Sequence, residues 1–231
     1  MTIATVGKAS PLESRSTTRS LQVVQKSVTF DEFVEWYPEN SEFRYELRRG
    51  VIFQMPQPRG DHSKIAAFNR DELVFEIRQK KLPYFIPQGC VIKRFDDTGY
   101  EPDVVVLDSA ALETELRWEK ASTIENGVSV KLVIEVVSTN WQDDYETKMA
   151  EYEALGIPEY LIIDYAGLDG VRHIGSPKQS TLTICTLVDG EYETRQFRGD
   201  EALTSGRSET IVSPLFPGLK LTAAQTLASA N

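Results

Sequence analysis

The spacing of hydrophobic and polar positions changes several times along the chain, and each change predicts an element. Residues 1–26 are rich in Ser, Thr and Ala and carry no hydrophobic period, which predicts a mobile leader. Order is expected from residue 27. Thr29 and Glu32 have the spacing of a capping box, and Phe30, Phe33, Val34 and Tyr37 then recur at helical intervals until Pro38. Phe43–Leu47 and Val51–Met55, separated by Arg-Arg-Gly, predict a hairpin that Pro56 and Pro58 close. Asp61 is placed as the N-cap of a long helix over 62–80, whose basic end suits the helix dipole.

Tyr84–Ile86, Val91–Phe95, Pro102–Leu107 and Leu132–Val137 are strand-like. Trp141, Tyr145, Met149 and Tyr152 return to helical spacing over Trp141–Leu155, and Gly156 and Pro158 close that helix. Tyr160–Asp164 predicts a buried strand, Asp189-Gly190 a hairpin turn within 171–197, and Thr222 the cap of a short last helix. No internal repeat or low-complexity linker interrupts 29–227. The pattern is that of one mixed α/β (α+β) domain over 27–227, with 228–231 as a tail.

Two of the apolar runs contain a carboxylate that packing alone does not explain. In Glu101-Pro102-Asp103-Val104-Val105-Val106-Leu107, four consecutive aliphatic residues predict a strand covered on both faces, with Asp103 at its entry. In Leu132–Val137, Glu135 is the one polar residue among six and shares a strand face with Val133 and Val137. A buried ionised carboxylate must be neutralised, paired or metallated. Turn chemistry at the Pro-Asp pair, or an ion pair of Glu135 with Lys131 or Arg94, would satisfy each acid separately. Asp103 and Glu135 on adjacent strands would instead require a shared cation, and a hard ion such as Mg2+ takes one or two carboxylates. Lys148 lies at the margin of the apolar stripe of the next helix, within reach of the strand ends or of Asp144 at i,i+4. Asp108 and Asp164 end strands and are expected to be turn residues.

Charge alters what such a site can bind. The 231 residues hold 35 Asp and Glu against 25 Lys and Arg, a net charge of −10, which opposes nucleic-acid binding by bulk basicity. Basic residues do cluster at Arg44, Arg48, Arg49, Arg59 and Lys64 and at Lys93-Arg94. No stretch approaches the length of a membrane span, and Met1–Ser20 lacks the apolar core of a secretory signal. Two cysteines in separate segments suit reduced thiols, so a cytoplasmic location is expected. Two His and two Cys without ligand spacing do not suggest zinc.

Taken in order, several motifs resemble those of a known family: Arg44-Tyr45-Glu46-Leu47 … Gly50, His62-Ser63, Pro102-Asp103, Ile134-Glu135-Val136-Val137-Ser138, Lys148 … Tyr152, Gly156-Ile157-Pro158-Glu159-Tyr160 and Ile163-Asp164. The chain is similar, from about Phe30 to Leu221, to the bacterial Uma-type endonuclease family of the PD-(D/E)XK nuclease superfamily. The resemblance implies a restriction-endonuclease-like core, a mixed central β-sheet flanked by helices. It implies Asp103 and Glu135 as ligands of Mg2+ or Mn2+, with the carbonyl of Val136 beside them. The superfamily's lysine two residues after the Glu is here Val137, and Lys148 matches a lysine relocated to the next helix. Glu46 matches an acid that reaches the cluster from the hairpin. His62 matches a recurrent histidine, for which a hydrogen bond at the helix start is expected.

The expected function is therefore Mg2+-dependent hydrolysis of DNA phosphodiesters, with a homodimer expected by analogy because two strands need two sites. The acidic balance motivates an alternative, a weak or inactive nuclease-fold domain acting as a binding or regulatory module. Hydrolysis of a small acidic metabolite has less support, since no phosphate-cradling glycine loop or nucleophile elbow occurs.

Overall fold

A computed structural model describes residues 27–39, 41–138, 142–199 and 210–228. The leader expected over 1–26 and the residues 229–231 of the expected tail lie outside them. Helix α1 spans Phe30–Trp36, and its capping box is formed: Thr29 Oγ1 accepts from the Glu32 N–H while the Glu32 carboxylate accepts from the Thr29 N–H. Strands β1 (Tyr45–Arg48) and β2 (Val51–Gln54) form the expected hairpin. Arg49 and Gly50 both have positive φ, as the tight turn between right-twisted strands requires.

Helix α2 runs Gly60–Lys80. It starts one residue before the expected Asp61 cap: the N-cap is Arg59, held extended after Pro58, and no side chain caps it. Strands β3 (Tyr84–Phe85), β4 (Val91–Phe95), β5 (Thr98–Tyr100) and β6 (Val104–Asp108) follow, then short helix α3 (Trp118–Ala121) and strand β7 (Thr123–Ile124). Strand β8 covers Val130–Val136. Helix α4 (Met149–Ala154) is preceded by a π-helical turn, Asp143–Lys148, where a regular α-helix was expected; Trp141 lies outside the described residues. Strand β9 (Glu159–Asp164), short helix α5 (Val171–Ile174), the β10 (Thr181–Val188) and β11 (Glu191–Arg198) hairpin and α6 (Ala223–Ala228) complete the order. The turn at Asp189-Gly190 again has positive φ at both residues, and Thr222 caps α6 through the Gln225 N–H.

These strands form two mixed sheets flanked by helices, the mixed α+β architecture expected. One has the order β2-β1-β5-β4-β7, the other β11-β10-β9-β8-β6-β3. In the larger sheet, β6 and β8 are antiparallel with Val104 opposite Ile134 and Val105 opposite Val133, while β8 and β9 are parallel. Both inner strands are buried on both faces, which is why they read as continuous apolar runs. Leu132, Ile134 and Val136 pack with Ile65, Leu73 and Ile77 of α2. Val133 and Val137 face the opposite cluster, with Tyr145 and Tyr152 from the helical segment and Ile92 and Tyr100 from the smaller sheet. Each fully buried aliphatic side chain contributes roughly 1.5–3 kcal/mol, so this sandwiched strand pair is costly to displace. Phe30 and Phe33 of α1 cover the far side of the smaller sheet with Leu47 and Val91. No helix among the described residues is long and apolar enough to cross a membrane.

Candidate active site

Continuing the β6–β8 register by one step sets Asp103 opposite Glu135, the adjacency that the two apolar runs suggested. The Val136 N–H donates to Asp103 Oδ2 across the strands at 2.9 Å. Alternation puts Glu135 on the face of Val133 and Val137, toward Tyr152 and the π-helical turn. There Lys148 Nζ donates to Glu135 Oε1 at 2.8 Å, and the Tyr152 hydroxyl donates to the same oxygen at 3.2 Å.

Glu46 arrives from the other sheet. Lys148 Nζ lies 3.1 Å from Glu46 Oε1 and 3.6 Å from Asp144 Oδ1, and 5.5 Å from the centre of the Tyr100 ring. Arg48, two residues from Glu46 and on the same face of β1, donates to Glu46 Oε2 from Nε at 2.9 Å and also pairs with Asp143. One buried ammonium thus faces Glu46, Glu135 and Asp144. Lys131 instead pairs with Asp108 at 3.2 Å and Arg94 stacks on Phe95, so neither is the partner of Glu135.

Asp103 has its own cations. Arg44 Nη2 meets Oδ1 at 3.0 Å and His62 Nε2 meets Oδ2 at 3.2 Å. The helix-start bond expected of His62 is replaced by this contact, because the first turn of α2 aims the imidazole at the entry of β6. Its Nδ1 is buried without a hydrogen-bond partner among the described residues. Asp108 and Asp164 are turn residues as expected, accepting from Ala110 N–H and from Leu168 and Asp169 N–H. Arg44, Arg48, Asp143 and Glu101 join the site by tertiary packing alone. Asp144 entered the sequence argument only as a helical neighbour of Lys148.

Electrostatics divide the acids. Burial raises the Asp103 carboxyl, but the His62 hydrogen bond and charge, Arg44 and the Val136 N–H outweigh it and hold Asp103 at about 2. Burial also raises Glu46, yet Lys148 and Arg48 prevail and keep it below its ordinary value. Glu135 is pushed up to about 7 by burial and by the charges of Asp103 and Glu46, against the pull of Lys148. Asp144 is raised for the same reasons. The three acids around Lys148 overcome its own desolvation and hold it firmly protonated. Lys148 therefore supplies a positive charge and does not take up protons.

The residues fit a divalent ion. Their free donors are hard oxygens, the raised Glu135 and Asp144 mark surplus negative charge, and the buried Glu46 Oε1 has no aligned hydrogen bond among the described residues. No group of three His, Cys, Asp or Glu among the described residues forms a ready-made cage. The cluster forms the floor of a cavity of ≈ 200 Å3 bordered by the β2–α2 loop and by Tyr165 and Leu168 after β9.

The acid pair at the ends of neighbouring strands thus meets a lysine from the following helical segment on a mixed two-sheet core. The chain matches a family model described as "Uma2: Putative restriction endonuclease" over residues 30–224, and it belongs to that family. Its fold is similar to the crystal structure of "a putative nuclease belonging to DUF820" from Anabaena variabilis ATCC 29413. That match has a TM-score of 0.60 at 21% identity and covers 88% of this chain and 99% of the other. Comparison with curated proteins found no match.

Proposed function

We propose that the protein is a Mg2+- or Mn2+-dependent endonuclease of the PD-(D/E)XK type, acting on DNA in the cytoplasm. The observation that carries this reading is Asp103 opposite Glu135 beneath an open cavity, with a buried, permanently charged Lys148 bonded to Glu135. Asp103, Glu135 and the Val136 carbonyl would hold the ion, which would supply polarisation of the phosphate and a water of lowered pKa. Glu46 and Asp144 fix the Lys148 ammonium, leaving its charge to orient a water or to stabilise negative charge developing on the phosphate. Arg44 and His62 orient Asp103. Supercoiled plasmid with Mg2+ or Mn2+ tests the reading: nicking or linearisation by the wild type, lost in Glu135→Gln, supports it. Intact plasmid across salts and substrates overturns it.

One observation favours the module instead. Both Asp103 oxygens are already occupied by Arg44, His62 and a backbone N–H, so the acid is neutralised from within the protein. Calorimetric titration with Mn2+ separates the two: binding lost in Asp103→Asn supports the enzyme, and no binding by the wild type supports the module.

A further inference from the structure

Two cavities adjoin at the site. The ≈ 200 Å3 cavity over the acid cluster and a neighbouring groove of ≈ 310 Å3 are both bordered by Arg44, Pro58, His62 and Asp103. The first is lined in two chemically different ways. Glu135, Lys148 and Asp103 are its polar part, whereas Met55, Pro56 and Pro58 from the β2–α2 loop and Tyr165 and Leu168 after β9 are apolar.

Charge does not favour a polyanion here. Arg44, Arg48, Arg59 and Lys148 border the cavity against Glu101, Asp103, Glu135, Asp143 and Asp144, and three of the four cations are already paired with carboxylates. A duplex is held mainly by many Lys and Arg contacts to phosphate. Its bases are stacked and paired inside a stiff cylinder, so they present no free face to an apolar wall. An unpaired base does, and stacking on aromatic and apolar side chains is indifferent to the charge balance. The first cavity is below the ~300–1,000 Å3 of ordinary small-molecule sites and suits one base-sized group. The adjoining groove, along Ser63, Ala67 and Arg70 of α2, gives the neighbouring nucleotide a path out.

Resting on the nuclease reading above, we propose that the site takes an unpaired nucleotide of a DNA strand. The base lies against Met55, Tyr165 and Leu168, the phosphate faces Lys148, and the strand leaves along α2. The substrate class is thus single-stranded DNA, overhangs or frayed ends, in preference to continuous duplex.

Fluorescence anisotropy with Ca2+ replacing Mg2+ at low salt tests this with a labelled single strand, the same sequence as a blunt duplex, a duplex with a short overhang, and deoxyadenosine monophosphate as competitor. The expected result is binding of the strand and the overhang about tenfold tighter than the blunt duplex. Leu168→Ser, at a side chain on a residue 37% exposed, should erase most of that preference, and Tyr165→Leu keeps the packing volume while removing the ring. Equal binding of the blunt duplex overturns the inference and leaves the nuclease reading standing. Competition by the mononucleotide at the strand's own affinity overturns it in favour of a free-nucleotide site. Binding of none of these ligands overturns both readings, and plasmid cleavage without strand preference overturns this one alone.

Discussion

Lys148 Nζ donates to Glu135 Oε1 at 2.8 Å although thirteen residues separate them, one on the π-helical turn and the other on a central strand. The same nitrogen faces Glu46 and Asp144, and Lys148 is only 2% exposed. One ammonium faces three acids from three elements and shares only Glu46 with a second cation, Arg48, so the cluster's stability depends on it.

Replacing it should therefore cost far more than a surface charge would. Breaking a buried pair by removing one partner costs about 3–5 kcal/mol, less whatever protonation of Glu135 recovers. For a chain of this size Lys148→Met should lower the Tm by about 5–15 °C at pH 7. The deficit should shrink at pH 5, where the orphaned acids take up protons, and the double variant Lys148→Met/Glu135→Gln should recover part of it. Thermal melts by circular dichroism at the two pH values give the answer.

Arg44 competes for Asp103 with any incoming cation, since its guanidinium occupies Oδ1 at 3.0 Å. Arg44→Gln should bind Mn2+ about fivefold more tightly than the wild type, at the low end of ordinary coupling energies. Asp103→Asn should lose binding. Isothermal titration calorimetry of the two variants measures both effects, and an unchanged affinity in Arg44→Gln would mean that the guanidinium leaves Asp103 at no cost.

Away from the site, Glu159 gives the fold a pH dependence. It is buried at the start of β9, where Ser213 Oγ lies 2.8 Å from both carboxylate oxygens, and burial raises it to about 7 against the partial offset of Ser213 and Leu215. In the native state it keeps a proton that the unfolded chain loses from about pH 4.5 upward. The native state then binds more protons than the unfolded one, so this group lowers stability as pH rises from about 4.5 to about 7 and leaves it level above. Glu159→Gln should melt about 5 °C higher than the wild type at pH 8, with no gain near pH 4.5. Melting curves of both proteins across that range decide it.

Salt should have a modest effect on DNA binding. With a net charge of −10 and most cationic side chains of the site already paired, about two phosphate contacts remain, for a log–log slope near −1.5 for single strands. Anisotropy titrations between 50 and 200 mM salt (about an eightfold loss at that slope, against about three hundredfold or more if six or more phosphates were engaged) measure it.

Much of the fold is legible in the sequence because its strongest strands are buried on both faces. Val104–Leu107 and Leu132–Val137 stand out as apolar runs, and the Asp103 and Glu135 positions stand out against them. Strands β5 and β7 escape notice for the opposite reason: Thr98-Gly99-Tyr100 and Thr123-Ile124 are too short to show a period, and Gly99 is excluded by strand propensity. Gly99 is there because a Cβ would come 2.4 Å from the Phe30 ring, a packing demand invisible locally. The π turn is likewise hidden, since Tyr145 and Tyr152 are buried as a regular helix would bury them. Within the site, the strand acids and Lys148 are apparent from position and resemblance. Arg44 and His62 as partners of Asp103 depend on how the hairpin and α2 dock, which no local pattern records.

Glu46 belongs to one sheet, Asp103 and Glu135 to the other. Either sheet alone holds only part of the cluster, so the site is complete only when both sheets are formed and packed together. If the protein cleaves DNA as proposed, a newly made chain would be inert toward it until both halves have closed on Lys148.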